Sequence, residues 1–196
     1  FDLPKNFTFH SIGKAEDYPV GKWSNALIKM LLELPHDVFV LMLEDYWLTR
    51  PVDAGAVVIL ADYMRQFEYV ARLDLTGDRK GSGFAKPYGN VAHIKLIASD
   101  PDSQYHCSLM CALWRRAHML KFLIEGESPW EVELNGTTRL RELRNHLLVL
   151  GTENPPLNHT LAFRGGEPGK VLLDELNPYD VAEMKKLGLL REWGIG

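Results

Sequence analysis

The sequence predicts an α/β protein in which helices flank a largely parallel sheet in three layers, α/β/α. Three observations carry that expectation. Val38-Phe39-Val40-Leu41-Met42-Leu43 is a continuous apolar run bounded by Asp37 and Glu44, the pattern of a strand buried on both faces, and such strands belong to sheets covered by helices. Helix, strand, helix and strand patterns alternate around it, as in βαβ units. Of the 196 residues, 46% are hydrophobic and 24% charged, which suffices for a core without disulfide or metal staples.

In chain order, Asn6 to Ile12 is aromatic and β-branched and stops at Gly13, so it reads as a strand. Trp23, Leu27, Met30, Leu31 and Leu34 recur at helical spacing, giving a helix that ends before Pro35. After the apolar run, Val57, Leu60, Ala61 and Met64 mark a helix from about Ala54 to Phe67, and Tyr69 to Leu75 reads as a strand. Thr76 to Asn90 is a glycine-rich basic loop, and Val91 to Ala98 is a strand. A loop at Ser99 to Ser103 precedes Tyr105 to Leu109 and a helix running through Trp114 to Ile124.

Ser128-Pro129-Trp130-Glu131 is a helix start: Ser at the N-cap, Pro at the first helical position, and Glu three residues after the cap. That helix is expected to stop near Asn135-Gly136, with a second helix from Arg139 to His146 feeding a strand at Leu147 to Leu150. Asn154-Pro155-Pro156 is a turn, Thr160 to Arg164 a short strand, and Asn177-Pro178 opens a last helix toward Leu189. No repeat or separating linker interrupts the chain. Residues 1–196 therefore read as one domain, with 7–150 as its core and 151–196 as a hairpin and helix extension.

Charge and apolar runs narrow the function classes. With 22 Lys+Arg against 26 Asp+Glu the net charge is -4, which does not favour a polyanionic partner, so no nucleic-acid role is expected. No apolar run approaches the ~18 residues that span a bilayer, and no signal-peptide pattern is visible. Cys107 and Cys111 fit a reducing compartment, so a cytoplasmic location is expected, free or peripheral to the membrane. The chain opens with Phe1 rather than Met.

Chemistry has three places to sit. Glu44-Asp45 follows the apolar strand, and open α/β sheets bind ligands outside the carboxyl ends of their strands. The pair can hold a hard divalent cation together with a diphosphate, since Mg²⁺ takes one or two carboxylates and completes its shell with water and phosphate oxygen. Alternatively, Asp45 caps the following turn and Glu44 is solvated. In Trp130-Glu131-Val132-Glu133, a carboxylate beside a large aromatic can have its pKa raised by burial and serve as a general base. The capping-box position by itself also explains Glu131. Arg79, Lys80 and Lys86 in the glycine-rich loop can neutralise phosphate, although the spacing matches neither a P-loop nor a dinucleotide fingerprint and a flexible solvated loop explains the stretch better. Cys107 and Cys111 with His106 and His118 make a weak zinc signal and read better as small buried side chains. No Gly-x-Ser-x-Gly elbow supports a serine hydrolase.

Phe39-Val40-Leu41-Met42-Leu43-Glu44-Asp45-Tyr46-Trp47-Leu48, with Pro51-Val52-Asp53 behind it, resembles the acidic strand-end motif of GT-A-type nucleotide-sugar glycosyltransferases. Cys107 to Arg116 resembles the acceptor-side strand and helix of that superfamily. Glu127-Ser128-Pro129-Trp130-Glu131-Val132-Glu133 follows at the superfamily's interval and is similar to its catalytic-base segment. The resemblance covers about Phe7 to Leu150, and the tail through Gly169-Lys170 looks like bacterial and phage relatives of unassigned reaction. It implies a GT-A-like mixed, mostly parallel sheet and transfer of a sugar from a nucleotide-diphosphate donor to a glycan or lipid-linked acceptor, with inversion.

In that reading Asp45 and Glu44 hold the donor diphosphate, directly or through Mg²⁺ or Mn²⁺. Glu131 is the general base with Glu133 behind it, and Arg79 and Lys80 contact phosphate. The superfamily carries Asp-x-Asp where this chain has Glu44-Asp45-Tyr46. It also opens with a base-binding strand and helix that nothing before Phe7 supplies, so the resemblance implies a chain truncated at its N-terminus. Two rival readings are a non-catalytic carbohydrate-binding or scaffolding protein on the same frame, and a glycosidase pairing Asp45 with Glu131 across a groove.

Overall fold

Among the described residues six strands lie side by side in one sheet, with helices packed on both of its faces. The computed structural model describes residues 5–82, 85–143, 146–161, 163–164, 167–168 and 176–188. Residues 5–14 form no strand among them and are followed by two 3₁₀ turns, Ala15–Asp17 and Val20–Lys22. Then come α1 (Trp23–Glu33), β1 (Val38–Leu41), β2 (Tyr46–Leu48), α2 (Ala54–Gln66), β3 (Val70–Asp74), the one-turn α3 (Asp78–Gly81), β4 (Lys86–Val91) and β5 (Ile94–Ala98). The chain continues through β6 (Ala112–Arg115), α4 (Arg116–Phe122), α5 (Pro129–Glu142), β7 (Leu148–Thr152), β8 (His159–Leu161), β9 (Phe163–Arg164), β10 (Glu167–Pro168) and α6 (Pro178–Lys186). Phe1, Gly169-Lys170 and Leu189 lie outside the described residues.

The α/β class holds, but the sheet is mostly antiparallel rather than mostly parallel. Only β3 and β7 pair in parallel. The other neighbours run antiparallel, because β6 inserts between β1 and β3 and β5 inserts between β7 and β4. β1 and β3 do point the same way, as a βαβ unit requires, yet they never touch.

The apolar run ends the sheet instead of running through its centre. Val38 and Leu41 are buried while Val40 is 44% exposed, and Met42 and Leu43 pack into the core only after the strand has ended. Ala112-Leu113-Trp114-Arg115 is the fully buried strand β6, so Trp114 and Arg115, expected in a helix, are strand residues and helix begins only at Arg116. Its alternation assigns Leu113 to the α2 side and Trp114 to the opposite side.

Each face of the sheet has its own core. Leu27 and Leu31 of α1, Met119 and Phe122 of α4, and Val132 and Leu140 of α5 cover Leu41, Ala71, Trp114 and Val149. Ala56, Leu60, Ala61 and Met64 of α2 cover Val38, Val70, Leu73, Leu113 and Leu150. The pairing of β3 with β7 shifts register between Val70 and Arg72, and Arg72, opposite Trp114, and Asp74, opposite Ala112, are wholly buried.

Local signals set the helix ends. Asp53 Oδ1 accepts from the Ala56 N–H at 2.9 Å at the start of α2, Ser128 caps α5, and Asn177 Oδ1 accepts from the Tyr179 N–H at 3.0 Å at the start of α6. Helix α5 does not break at Gly136. A Cβ there would lie 3.0 Å from Cys107 Sγ and 3.6 Å from Phe122 Cδ2, so the glycine is a point of close packing within one continuous helix.

At the bottom of the sheet two adjacent arginines tie both helical layers to the strands. Arg115 donates to the Met64 carbonyl in the last turn of α2 and pairs with Asp37. Arg116 donates to the Leu34 carbonyl that closes α1.

Candidate functional site

The carboxyl ends of β1, β3 and β7 share the other end of the sheet, and the residues that leave them build the candidate site. Directly after β1, Glu44 and Asp45 form a turn that leads into Tyr46. Glu44 is exposed. Asp45 is half-buried; burial and the neighbouring Glu44 charge raise its carboxyl above the usual range. Its Oδ1 is buried and has no hydrogen-bond partner among the described residues, so one carboxylate oxygen is left to receive a donor or cation.

Tyr46 sits against His159 of the paired strand β8, ring centroids 4.9 Å apart and edge-on at 85°. Burial raises the Tyr46 hydroxyl pKa, and Asp45, Glu133 and Asp78 raise it further. Burial lowers the His159 pKa, against the pull of Asp78 and Asp45. Side chains from four separated segments therefore share one electrostatic neighbourhood: Asp45 with Tyr46, Asp78, Glu133 and His159.

The two glutamates of α5 separate sharply. Glu131 is exposed, and its Oε2 accepts from the Ser128 N–H at 2.8 Å and the Ser128 hydroxyl at 2.7 Å, while Ser128 Oγ accepts from the Glu131 N–H. Those bonds hold its carboxyl below the usual range. This corrects the expectation that burial beside Trp130 raises it: Trp130 is itself 58% exposed, and the carboxylate belongs to the capping box. Two positions on, Glu133 is half-buried and points toward the strand ends. Its Oε1 accepts from the Leu109 N–H at 2.7 Å, and burial raises its carboxyl despite that bond and the pull of Arg72.

Behind Asp78 lies a buried charge network that the sequence patterns did not reveal. Arg72 pairs with Asp74, and Arg79 bridges Asp74 at 2.7 Å and Asp78 at 2.6 Å. Arg72 also lies over the Trp114 ring, 5.2 Å from its centroid. Full burial raises the Asp74 carboxyl against the opposing pull of Arg72 and Arg79. Burial also disfavours charge on Asp78, but Arg79 and Arg72 hold its carboxyl below the usual range.

These contacts correct the reading of Arg79 as a phosphate contact. Its guanidinium also donates to Ser99 Oγ at 3.2 Å and the Tyr105 carbonyl at 2.9 Å, and its side chain is 2% exposed, which leaves no fork for a ligand. Lys80 is exposed and donates to the Glu153 carbonyl at 3.1 Å. Within the basic loop, α3 and the start of β4 replace an unstructured tract.

The cysteines are small buried side chains, as read. Burial raises the Cys107 thiol to about 12 and the Cys111 thiol to about 11. Burial lowers His106 to about 4, with Arg79, Arg72 and Arg141 adding to it, and its Nδ1 lies 3.1 Å from Ser99 Oγ. Among the described residues, no group of three or more His, Cys, Asp or Glu side chains is placed to hold a metal ion. No described helix is long and apolar enough to cross a membrane.

Comparison with known proteins adds no assignment: no protein-family model, curated protein or solved structure matches the chain.

Proposed function

We propose that the protein is a sugar transferase of the GT-A type, moving a glycosyl unit from a nucleotide-diphosphate donor to a hydroxyl of a glycan or lipid-linked acceptor. The observation that carries this reading is the pair Asp45 and Glu133, two half-buried carboxylates of raised pKa that both act on Tyr46 at the carboxyl end of the sheet. Asp45, with Glu44 beside it, faces the donor diphosphate. Glu133 takes the base role in place of Glu131: its raised proton affinity suits removal of a proton from an acceptor hydroxyl, and its bond to Leu109 fixes the aim. Attack by that hydroxyl with loss of the nucleoside diphosphate inverts the sugar carbon.

The uncommitted Oδ1 of Asp45 fits one ligand of Mg²⁺ or Mn²⁺, and Glu44 is the adjacent second. When bound, such an ion would neutralise the departing diphosphate. In this reading nucleic acid is no partner. A glycosidase pairing Asp45 with Glu131 is disfavoured by the capping-box bonds that hold Glu131.

The test is release of UDP, GDP or TDP from a panel of nucleotide sugars with Mg²⁺ or Mn²⁺, with and without glycan acceptors. Turnover that Glu133→Gln abolishes and Glu131→Gln retains supports the reading. No turnover together with no donor binding sinks it and leaves the non-catalytic carbohydrate-binding frame.

A further inference from the structure

Asp78 also borders a cavity. It has a volume of about 300 Å³ and lies between α3 and the loop that precedes β6, lined by Asp78, Arg79, Ser82, Ser103, Gln104 and Tyr105. That size falls at the small end of ligand sites, roughly 300–1,000 Å³. Asp78 is part of its lining, and the charge of the same carboxylate is felt at Tyr46 and Glu133.

We propose that this cavity binds one neutral sugar ring, with the Tyr105 ring as its stacking surface and the Asp78 carboxylate as acceptor for its hydroxyls. Three independent features support that chemistry. Tyr105 stands in the left-handed region at φ 52 while its side chain remains 45% exposed. A bulky residue there is strained and persists only where its surroundings enforce it. Here the enforcing contact is visible, because the buried Arg79 guanidinium holds the Tyr105 carbonyl at 2.9 Å. The strained turn thus carries a large aromatic on the rim of a cavity instead of in a core.

The second feature is charge. Arg79 lines the cavity, but its donors are taken by Asp74, Asp78, Ser99 and Tyr105. Asp78 is kept ionised by Arg79 and, at 3.9 Å, Arg72, and its side chain is 25% exposed. An anion meets a carboxylate and no free cation on these walls, whereas a hydroxyl donor meets a charged acceptor, the stronger kind of hydrogen bond. The third feature is the remaining lining: Gln104 is exposed and offers amide donor and acceptor together, and Ser82 Oγ, donating to the Arg79 carbonyl at 2.7 Å, still accepts. An aromatic face with a carboxylate and an amide is matched by a ring that has one apolar face and several hydroxyls.

The place of this ring in catalysis rests on the transfer reading above: beside Glu133, it is the sugar next to the attacking hydroxyl. Binding itself does not depend on that reading. Saturation-transfer NMR with D-glucose, D-galactose and D-mannose, and with inorganic phosphate as the anionic probe, tests it on the full chain. At least one sugar should give saturation transfer, and phosphate should not displace it. Tyr105→Asn, which suits the left-handed backbone but lacks the ring, should keep the fold and weaken binding about tenfold, while Tyr105→Trp should retain it. Absence of signal from all three sugars, displacement by phosphate, or binding unchanged in Tyr105→Asn overturns the proposal. A chain that turns over a nucleotide sugar but binds no monosaccharide refutes the cavity alone. One that binds a monosaccharide through Tyr105 with no turnover refutes the transfer reading alone.

Discussion

Glu133 on α5 accepts a 2.7 Å hydrogen bond from the backbone N–H of Leu109, which fixes a helix carboxylate to the segment entering strand β6. A base must be deprotonated to act, so transfer should fall as pH drops through a pKa above the usual carboxylate range. Glu133→Gln should lower kcat by about 10²–10⁴-fold and remove that acid limb. Initial rates across pH for the two proteins are the measurement.

Ser128 and Glu131 satisfy each other at the start of α5. Ser128→Ala should cost about 1 kcal/mol of stability. Glu131→Gln should cost less, because an amide oxygen still accepts from the Ser128 N–H. Urea denaturation checks both, and a Glu131→Gln protein with unchanged kcat separates capping from chemistry.

Gly151 of β7 lets the stem of Arg79 lie against the strand. A Cβ there would be 2.8 Å from Arg79 Cβ and 2.9 Å from its Cγ, and Arg79 cannot swing away because Asp74, Asp78 and Tyr105 hold its head. Gly151→Ala should therefore destabilise the fold by roughly 1–3 kcal/mol. It should also weaken whatever binds against Asp78, read by thermal unfolding and ligand titration.

His106 is buried and held neutral, its pKa lowered to about 4 by desolvation first and by nearby arginines second. Between about pH 6.5 and 4 the unfolded chain binds a proton that the folded chain refuses. Stability from this group is thus complete above the unfolded pKa and is lost as pH falls, by at most about 1.4 kcal/mol per pH unit. His106→Gln should flatten the wild-type slope in that window, measured by denaturant midpoints at pH 4.5, 5.5 and 7.

The helices were legible because their signals are local. The caps at Ser128 and Asn177 and the apolar stripes Leu27, Leu31 and Leu60, Met64 need only neighbouring residues, and α1, α2, α5 and α6 start where those signals put them. Strand order was not legible, since nothing in Val38 to Leu43 says that β6 takes the place beside it, and Trp114 has the same apolar neighbours in a strand as in a helix. The site divides the same way. Asp45 and Glu133 stood out by position along the chain. Arg72, Asp74 and Asp78 did not, because a charged residue in a strand reads as solvated until its partner is known, and the partner of Asp74 arrives from α3.

Arg115 and Arg116 give the molecule a mechanical polarity. They stitch the C-terminal ends of α1 and α2, from opposite layers, to one end of the sheet, while the opposite end is bounded by turns at 42–45 and 75–77 and by the approach to β6. Slow breathing should therefore open at the turns and leave the stitched end closed. Amides of Leu34 and Phe67, at those helix ends, should exchange last, and those around Asp45 first, which makes the Asp45 end the compliant end of an otherwise clamped frame.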